Sequence, residues 1–161
     1  MIITTKRFLL RPLNKDDVSY SYLSWLTIEK NPYIEYVKNH SSLEDLKTFV
    51  SSREGEKNVL FLGIFTDFGK HIGNIKYEPI NVKKKIATMG ILIGDLEWQG
   101  KGVASEVIKA SSNYLKEVYG IKHIILGVDK NNIPAISAYK KIQFEVFEEN
   151  KNEFKMQLDL E

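Results

Sequence analysis

From Asn58 to Gly94 the apolar residues of this chain recur with a period of two, in three runs at 59–66, 71–80 and 85–94. Only Asp67-Phe68-Gly69-Lys70 and Asn81-Val82-Lys83-Lys84 separate them. A crossover between parallel strands needs about a dozen residues or more, so connections this short force an antiparallel meander.

Everything else must attach to that sheet. Residues 2–12 are apolar and β-branched up to Pro12 and read as an opening strand. Asn14, Asp16 and Asp17 suit a helix start, and Val18, Tyr22, Trp25 and Leu26 recur at helical spacing until about Asn31-Pro32. A second helix begins near Ser42, with Asp45 three residues on and a stripe of Leu43, Leu46, Phe49 and Val50. After the meander come a helix at about 101–119, a strand at 122–129, a helix at 132–142 and strands at 144–149 and 153–160. Gly120 sits where a helix C′ residue belongs, and Asn150-Lys151-Asn152 makes a closing hairpin. No repeat, low-complexity tract or linker intervenes, so one α+β domain is expected over 1–161, around a mixed sheet.

Composition removes several chemistries. The chain has no cysteine, which excludes disulfides, Cys-ligated zinc, iron–sulfur clusters and a thiol nucleophile, and suits a reducing cytoplasm. Its 161 residues suffice to bury one apolar core without such staples. Lys plus Arg number 23 against 21 Asp plus Glu, a net charge of +2, which disfavours a nucleic-acid partner. The basic run Lys83-Lys84-Lys85 falls at a hairpin turn and reads as a solvated tip. Charge at Lys6 and Arg7 comes too early for a signal peptide, and no uncharged stretch approaches the roughly 18 residues of a membrane helix. His40, His71 and His123 lie in three different segments without metal-ligand spacing, and no Gly-x-Ser-x-Gly elbow supports a serine nucleophile. No metal is expected.

Chemistry concentrates in Asp95-Leu96-Glu97-Trp98-Gln99-Gly100-Lys101-Gly102-Val103-Ala104, a glycine-bearing turn between a strand and a helix start. Free N–H groups and the dipole make such a start an anion site, and glycines let a phosphate approach the backbone. Val103, Val107, Ser111, Tyr114, Leu115 and Val118 would hold that helix against the core. A nucleotide-binding P-loop is disfavoured: five residues separate Gly94 from Gly100, and Gly102 follows the lysine where a Ser or Thr should stand. A dinucleotide fold is disfavoured as well, because only Gly100-Lys101-Gly102 is present and it comes late in the chain. On the turn alone, a plain glycine turn with a surface lysine is an equally good reading.

Three further features weigh against that plain reading. Gln99-Gly100-Lys101-Gly102-Val103-Ala104 resembles the Gln/Arg-x-x-Gly-x-Gly/Ala signature of the GNAT acetyltransferases, and Met89-Gly90-Ile91-Leu92-Ile93-Gly94-Asp95 looks like that family's fourth strand. Asn132-Ile133-Pro134-Ala135-Ile136-Ser137-Ala138-Tyr139-Lys140-Lys141-Ile142-Gln143-Phe144 is similar to its Asn-x-x-Ala-x-x-x-Tyr-x-x-x-Gly-Phe pattern. Arg7-Phe8-Leu9-Leu10-Arg11-Pro12-Leu13 looks like the opening of the branch with ribosomal-protein N-terminal alanine acetyltransferases. Tyr22-Leu23-Ser24-Trp25-Leu26 and Ser42-Leu43-Glu44-Asp45-Leu46 look like relatives that acetylate amino sugars.

The resemblance implies a mostly antiparallel, partly splayed sheet of about seven strands flanked by about four helices. It implies acetyl-CoA as co-substrate, lying between the strands at 86–94 and 122–129. Ile91, Leu92 and Ile93 would then pair with the pantetheine arm, Gln99, Gly100, Lys101, Gly102, Val103 and Ala104 would hold the diphosphate, and Asn132 would touch the pantetheine side of the next helix. Asn132 serves equally well as a helix N-cap. Tyr139, two turns on, would be the general acid toward the departing thiolate. Two positions depart from the family pattern. Gln143 replaces the glycine before Phe144 and must either take a left-handed conformation or end the helix differently, and Thr88 replaces a strand glutamate that serves many relatives as base.

The missing base constrains the acceptor. At pH 7 an amine of pKa about 7.8 is about one tenth or more unprotonated, whereas a lysine near 10.4 is free at about four parts in ten thousand. That difference is about 3.5 kcal/mol, so a primary amine of low pKa is favoured: an amino-sugar nucleotide, or alternatively a protein N-terminus. Glu78 on the neighbouring strand could act as base directly or through water, although a solvated carboxylate before Pro79 is the simpler reading. From another class, the chain could be a non-catalytic acyl-CoA-binding or nucleic-acid-binding module. An exposed terminal strand would permit either a monomer or a homodimer.

Overall fold

The structure, a computed structural model, describes residues 1–27 and 42–161. Eight strands make one sheet: β1 Ile3–Thr4, β2 Phe8–Pro12, β3 Leu60–Thr66, β4 His71–Asn81, β5 Ile86–Ile93, β6 His123–Asp129, β7 Glu145–Glu149 and β8 Glu153–Asp159. Their spatial order is β1-β2-β3-β4-β5-β6-β8-β7. All neighbours are antiparallel except β5 and β6, which run parallel. Four α-helices accompany them among the described residues: α1 Tyr20–Trp25, α2 Leu43–Ser51, α3 Val103–Tyr119 and α4 Ile133–Lys141.

The meander over β3, β4 and β5 matches the expectation from alternation. The expected sheet of about seven strands is observed with eight, because the opening run breaks at Thr5 to Arg7 and β1 folds back on β2, Ile3 facing Leu10. The first helix is also shorter than its apolar spacing predicted. Asn14 starts only a 3-10 turn, since the Asp17 carboxylate accepts from the Asn14 amide at 2.9 Å and from the Arg11 guanidinium at 2.7 and 2.9 Å. α1 begins afterwards, where Ser19 Oγ accepts from the Tyr22 amide at 3.1 Å. The expected continuation toward Asn31-Pro32 lies outside the described residues, as does His40.

The sheet separates two apolar layers. On one face α3 and α4 cover the larger core, with Val103, Val107, Ile108 and Leu115 of α3 buried against Ile75, Tyr77, Ala87 and Met89. Each Val, Ile, Leu or Met side chain so buried contributes about 1.5–3 kcal/mol. Tyr77 crosses this interface, its hydroxyl 2.8 Å from Ser111 Oγ, which satisfies two polar groups inside the core. Val118, expected on the buried stripe, is exposed, while Ile108, outside that expected stripe, is fully buried. On the opposite face α1 and α2 bring Tyr22, Trp25, Leu46 and Val50 against Phe65 and Leu92.

Candidate active site

β5 and β6 pair through three residues only, Ile86 with His123, Ala87 with Ile124 and Thr88 with Ile125. Beyond that point β5 stays with β4 as far as Ile93, and β6 stays with β8 as far as Asp129. The facing edges of Met89–Ile93 and Leu126–Asp129 therefore have no sheet partner, and a V-shaped opening lies between them. A bulge in β4 accompanies the divergence. Glu78 and Pro79 fall between the pairs Tyr77–Met89 and Ile80–Ala87, so two residues of β4 stand against Thr88 alone. An extra residue increases local twist and bends the strand pair where β5 leaves β6.

The backbone of Ile91, Leu92 and Ile93 runs along one wall of this opening. At its far end, Gln99 Nε2 donates to the Ile93 carbonyl at 3.0 Å, tying the turn back to the strand. Gly100 (φ 71°) and Gly102 (φ 76°) are both left-handed, a conformation costly for other residues. No atom lies within 4 Å of where a Cβ on Gly100 would stand. α3 then starts at Val103 with no side-chain cap, so its first-turn amides, including that of Ala104, have no intrahelical acceptor. The buried stripe of α3 fixes their direction. A glycine cradle facing uncapped amides fits a diphosphate, and the exposed Lys101 adds positive charge.

The helix that follows β6 carries the other expected residues. Asn132 occupies the N-cap position of α4 as expected, yet its side chain makes no cap hydrogen bond. Tyr139 is largely buried, with its ring centroid 5.7 Å from that of Phe144. Its hydroxyl has no hydrogen-bond partner among the described residues, and burial raises its pKa above the usual value for a phenol. Gln143 does adopt the left-handed conformation, at φ 89°. The next residue, Phe144, donates its amide to the Tyr139 carbonyl at 3.0 Å and fills the core beneath that ring.

Glu78 stands in the bulge opposite Thr88, but it is not free. Its Oε2 accepts from Arg53 Nε at 3.3 Å and lies 3.4 Å from Lys76 Nζ. Both cations also lie over the Phe49 ring of α2, at 3.7 and 5.6 Å, which draws the carboxylate toward that helix. His71 is held by Tyr22, Trp25 and Phe65, with Nε2 2.7 Å from Asn74 Oδ1, and burial lowers its pKa.

Two groups of residues at this site escaped the sequence reading. Arg7 and Glu106 meet beside the glycine turn. The second group is an acidic face. Because Phe154, Met156 and Leu158 of β8 pack into the larger core, alternation puts Glu153, Lys155, Gln157 and Asp159 on the opposite face. No helix among the described residues covers that face. Glu148 joins it through its ion pair with Lys155 at 3.0 Å, and Glu145 and Asp129 stand opposite Gln157 and Glu153. The Glu153 carboxylate lies over Gly127 of β6, within 2.9 Å of where a Cβ there would stand. Continuing the parallel register, Gly90 and Gly127 form the two walls of the opening on this same face. The period-two run at 153–159 was visible in the sequence, but which face stays uncovered depends on distant packing.

A family model for a GNAT acetyltransferase domain matches residues 7–145. A spermidine N(1)-acetyltransferase of Escherichia coli is 28% identical over 160 residues, covering 90% of this chain and 76% of that protein. An N-alpha-acetyltransferase of Saccharolobus solfataricus is 30% identical over 140 residues, covering 85% and 80%. The fold is shared with the crystal structure of a spermidine N-acetyltransferase from Vibrio cholerae in complex with CoA and spermine. That match has a TM-score of 0.80 and 19% identity over 94% of this chain and 95% of the other.

Proposed function

The chain belongs to the GNAT acetyltransferases and is an acetyl-CoA-dependent N-acetyltransferase, and from that premise we propose that it acetylates the primary amine of a cationic acceptor, foremost the α-amine of a protein or peptide. The observation that carries this reading is the divergence of β5 from β6 with an acidic face along one side of the opening.

Acetyl-CoA supplies the thioester and the thiol that leaves. Backbone groups of Ile91, Leu92 and Ile93 align the pantetheine arm, and an amide there faces the thioester oxygen, a contribution of a few kcal/mol when charge develops on it. The turn from Gln99 to Ala104 anchors the diphosphate, and the free side chain of Asn132 steadies the arm from α4. As the neutral amine nitrogen bonds to the acetyl carbon, the carbon–sulfur bond would break, Tyr139 would give its proton to the departing sulfur, and the proton lost by the nitrogen would pass through solvent to restore the phenol. With reference values of about 10 and 8.5 that transfer is uphill by about 2 kcal/mol, and burial of Tyr139 adds to the cost. The same burial keeps the phenol protonated and ready to donate at neutral pH.

Two considerations select the acceptor. Glu78 shares its carboxylate with Arg53 and Lys76, so no carboxylate stands free at the bulge to deprotonate a strongly basic amine. An acidic face beside the opening favours a positively charged acceptor and repels the diphosphate of an amino-sugar nucleotide. A peptide α-amine meets both conditions, and the relative from Saccharolobus solfataricus supports it. A polyamine is the second reading, favoured by the same face and by the Escherichia coli relative. An amino-sugar nucleotide, the foremost acceptor in the sequence reading, ranks behind both.

The test is thiol release from acetyl-CoA with four acceptors: a peptide with a free α-amine, the same peptide blocked there but bearing lysine, spermidine, and an amino-sugar nucleotide. The highest kcat/KM is expected for the free α-amine. Preference for the sugar nucleotide would overturn the electrostatic argument, and saturable CoA binding without turnover of any amine would point to a binding module.

A further inference from the structure

α3 begins without a capping side chain although it carries a carboxylate in its first turn, Glu106. That carboxylate is engaged elsewhere. Glu106 Oε2 accepts from Thr5 Oγ1 at 2.6 Å and from the Arg7 amide at 2.9 Å, and Oε1 accepts from Arg7 Nε at 2.8 Å. The other end of the same guanidinium reaches the glycine turn, Arg7 Nη2 donating to the Lys101 carbonyl at 3.0 Å. The aromatic rings of Phe8 and Trp98 flank it, with centroids 5.0 and 5.8 Å from the guanidinium carbon. One side chain from the N-terminal strands thus joins the turn to the first turn of the helix.

We propose that Arg7 is a positioning residue for the diphosphate of coenzyme A: it aims the Gly102 amide into the cradle and cancels the charge of Glu106 beside it. The proposal rests on the reading of this turn as the coenzyme site. Its first part follows from peptide planarity. In a trans peptide the C=O and N–H point in opposite directions, so drawing the Lys101 carbonyl toward Arg7 turns the Gly102 N–H away from it. Gly102, with its left-handed φ, has the freedom to rotate if that restraint is lost. The second part is electrostatic. The hydrogen bonds from Thr5 and Arg7 lower the pKa of Glu106, so it is ionised at neutral pH, next to a site that must accept an anion. Without Arg7, that charge would oppose the diphosphate and compete for the free amides of α3.

The experiment measures CoA binding by titration calorimetry, with thermal melting of each variant, for Arg7→Ala, Arg7→Lys, Glu106→Gln and the double variant Arg7→Ala/Glu106→Gln. Arg7→Ala is expected to raise the Kd for CoA about tenfold, as loss of a charge-assisted contact would. Raising the salt concentration should narrow that deficit. Glu106→Gln should bind CoA as tightly as the wild type or more tightly, and the double variant should recover part of the affinity lost in Arg7→Ala. Arg7→Lys, which keeps the charge without the two-ended geometry, should fall between. A purely structural brace predicts the reverse for the double variant, a further loss in both melting temperature and affinity, and that result would overturn the proposal. So would wild-type affinity in Arg7→Ala or in Arg7→Lys. Failure of the wild type itself to bind CoA would instead overturn the reading of the site.

Discussion

The indole of Trp25 lies directly on the backbone of Gly94, so closely that a Cβ at that glycine would overlap the ring. Gly94 follows β5 and precedes the glycine turn of Gln99 to Gly102, while Trp25 ends α1, so this contact ties α1 to the end of the opening. Replacing Gly94 by Ala should displace Trp25, which Tyr22 and His71 confine on its other sides, and cost about 1–3 kcal/mol in urea unfolding. Combining it with Trp25→Leu should cost less than the sum of the two single changes. Strict additivity would mean that the overlap is relieved by backbone movement.

Tyr139→Phe removes only a hydroxyl that has no partner among the described residues, so the fold should lose little. If that hydroxyl protonates the leaving thiolate, kcat should fall about 100-fold or more while the Kd for CoA stays within about twofold. Equal kcat values in the two proteins would assign Tyr139 to packing alone.

Features set by local backbone chemistry were legible in the sequence. The meander follows from residue type and spacing over a few positions, and the left-handed Gln143 is one of the two outcomes that the missing glycine left open. What sequence could not reveal depends on partners far apart. Arg7 and Glu106 are joined only because the connection between β1 and β2 and the start of α3 come together in space. The helix expected to start at Asn14 is only a 3-10 turn because Arg11 captures Asp17, a competition that helical periodicity does not register. Glu78 looked like a solvated carboxylate or a base; its engagement by Arg53 required knowing where α2 ends.

The pH dependence of the reaction separates acceptor from enzyme. With Glu78 paired to Arg53 and Lys76, kcat/KM should rise with pH along the acceptor's own ionisation curve, near pKa 7.8 for an α-amine. Glu78→Gln should leave the shape of that curve unchanged. An acidic limb present in the wild type and absent in Glu78→Gln would identify Glu78 as the base.

His71 should make the fold sensitive to mild acid. Its folded pKa is lowered, mainly by burial among Tyr22, Trp25 and Phe65, with Arg11 opposing its charge and Asp17 and Asn74 only partly favouring it. As pH falls through about 6.5, the unfolded chain takes up a proton that the folded chain does not, so stability declines until the lower folded pKa is reached. The slope from this one group cannot exceed about 1.4 kcal/mol per pH unit. Melting temperatures between pH 7.5 and 5 should drop more steeply for the wild type than for His71→Gln; parallel curves would show that the buried ring is not the source.

Glu153 offers the sharpest test of acceptor charge. Its carboxylate lies over Gly127 on the β6 wall, and Glu153→Gln removes the charge while keeping the shape. A half-exposed carboxylate attracts a cation by a few tenths to about 1 kcal/mol, so kcat/KM for a peptide with a basic second residue should fall about two- to fivefold. The loss should fade as salt shortens the screening length from about 10 Å at 0.1 M to about 3 Å at 1 M. Saturating kcat should stay constant, because the charge acts on the approach and seating of the acceptor rather than on the breaking bond. Gly127→Ala should give the same loss by another route, since its new Cβ would push the carboxylate off the wall. If both variants treat basic, neutral and acidic peptides as the wild type does, the acidic face has no part in choosing the acceptor.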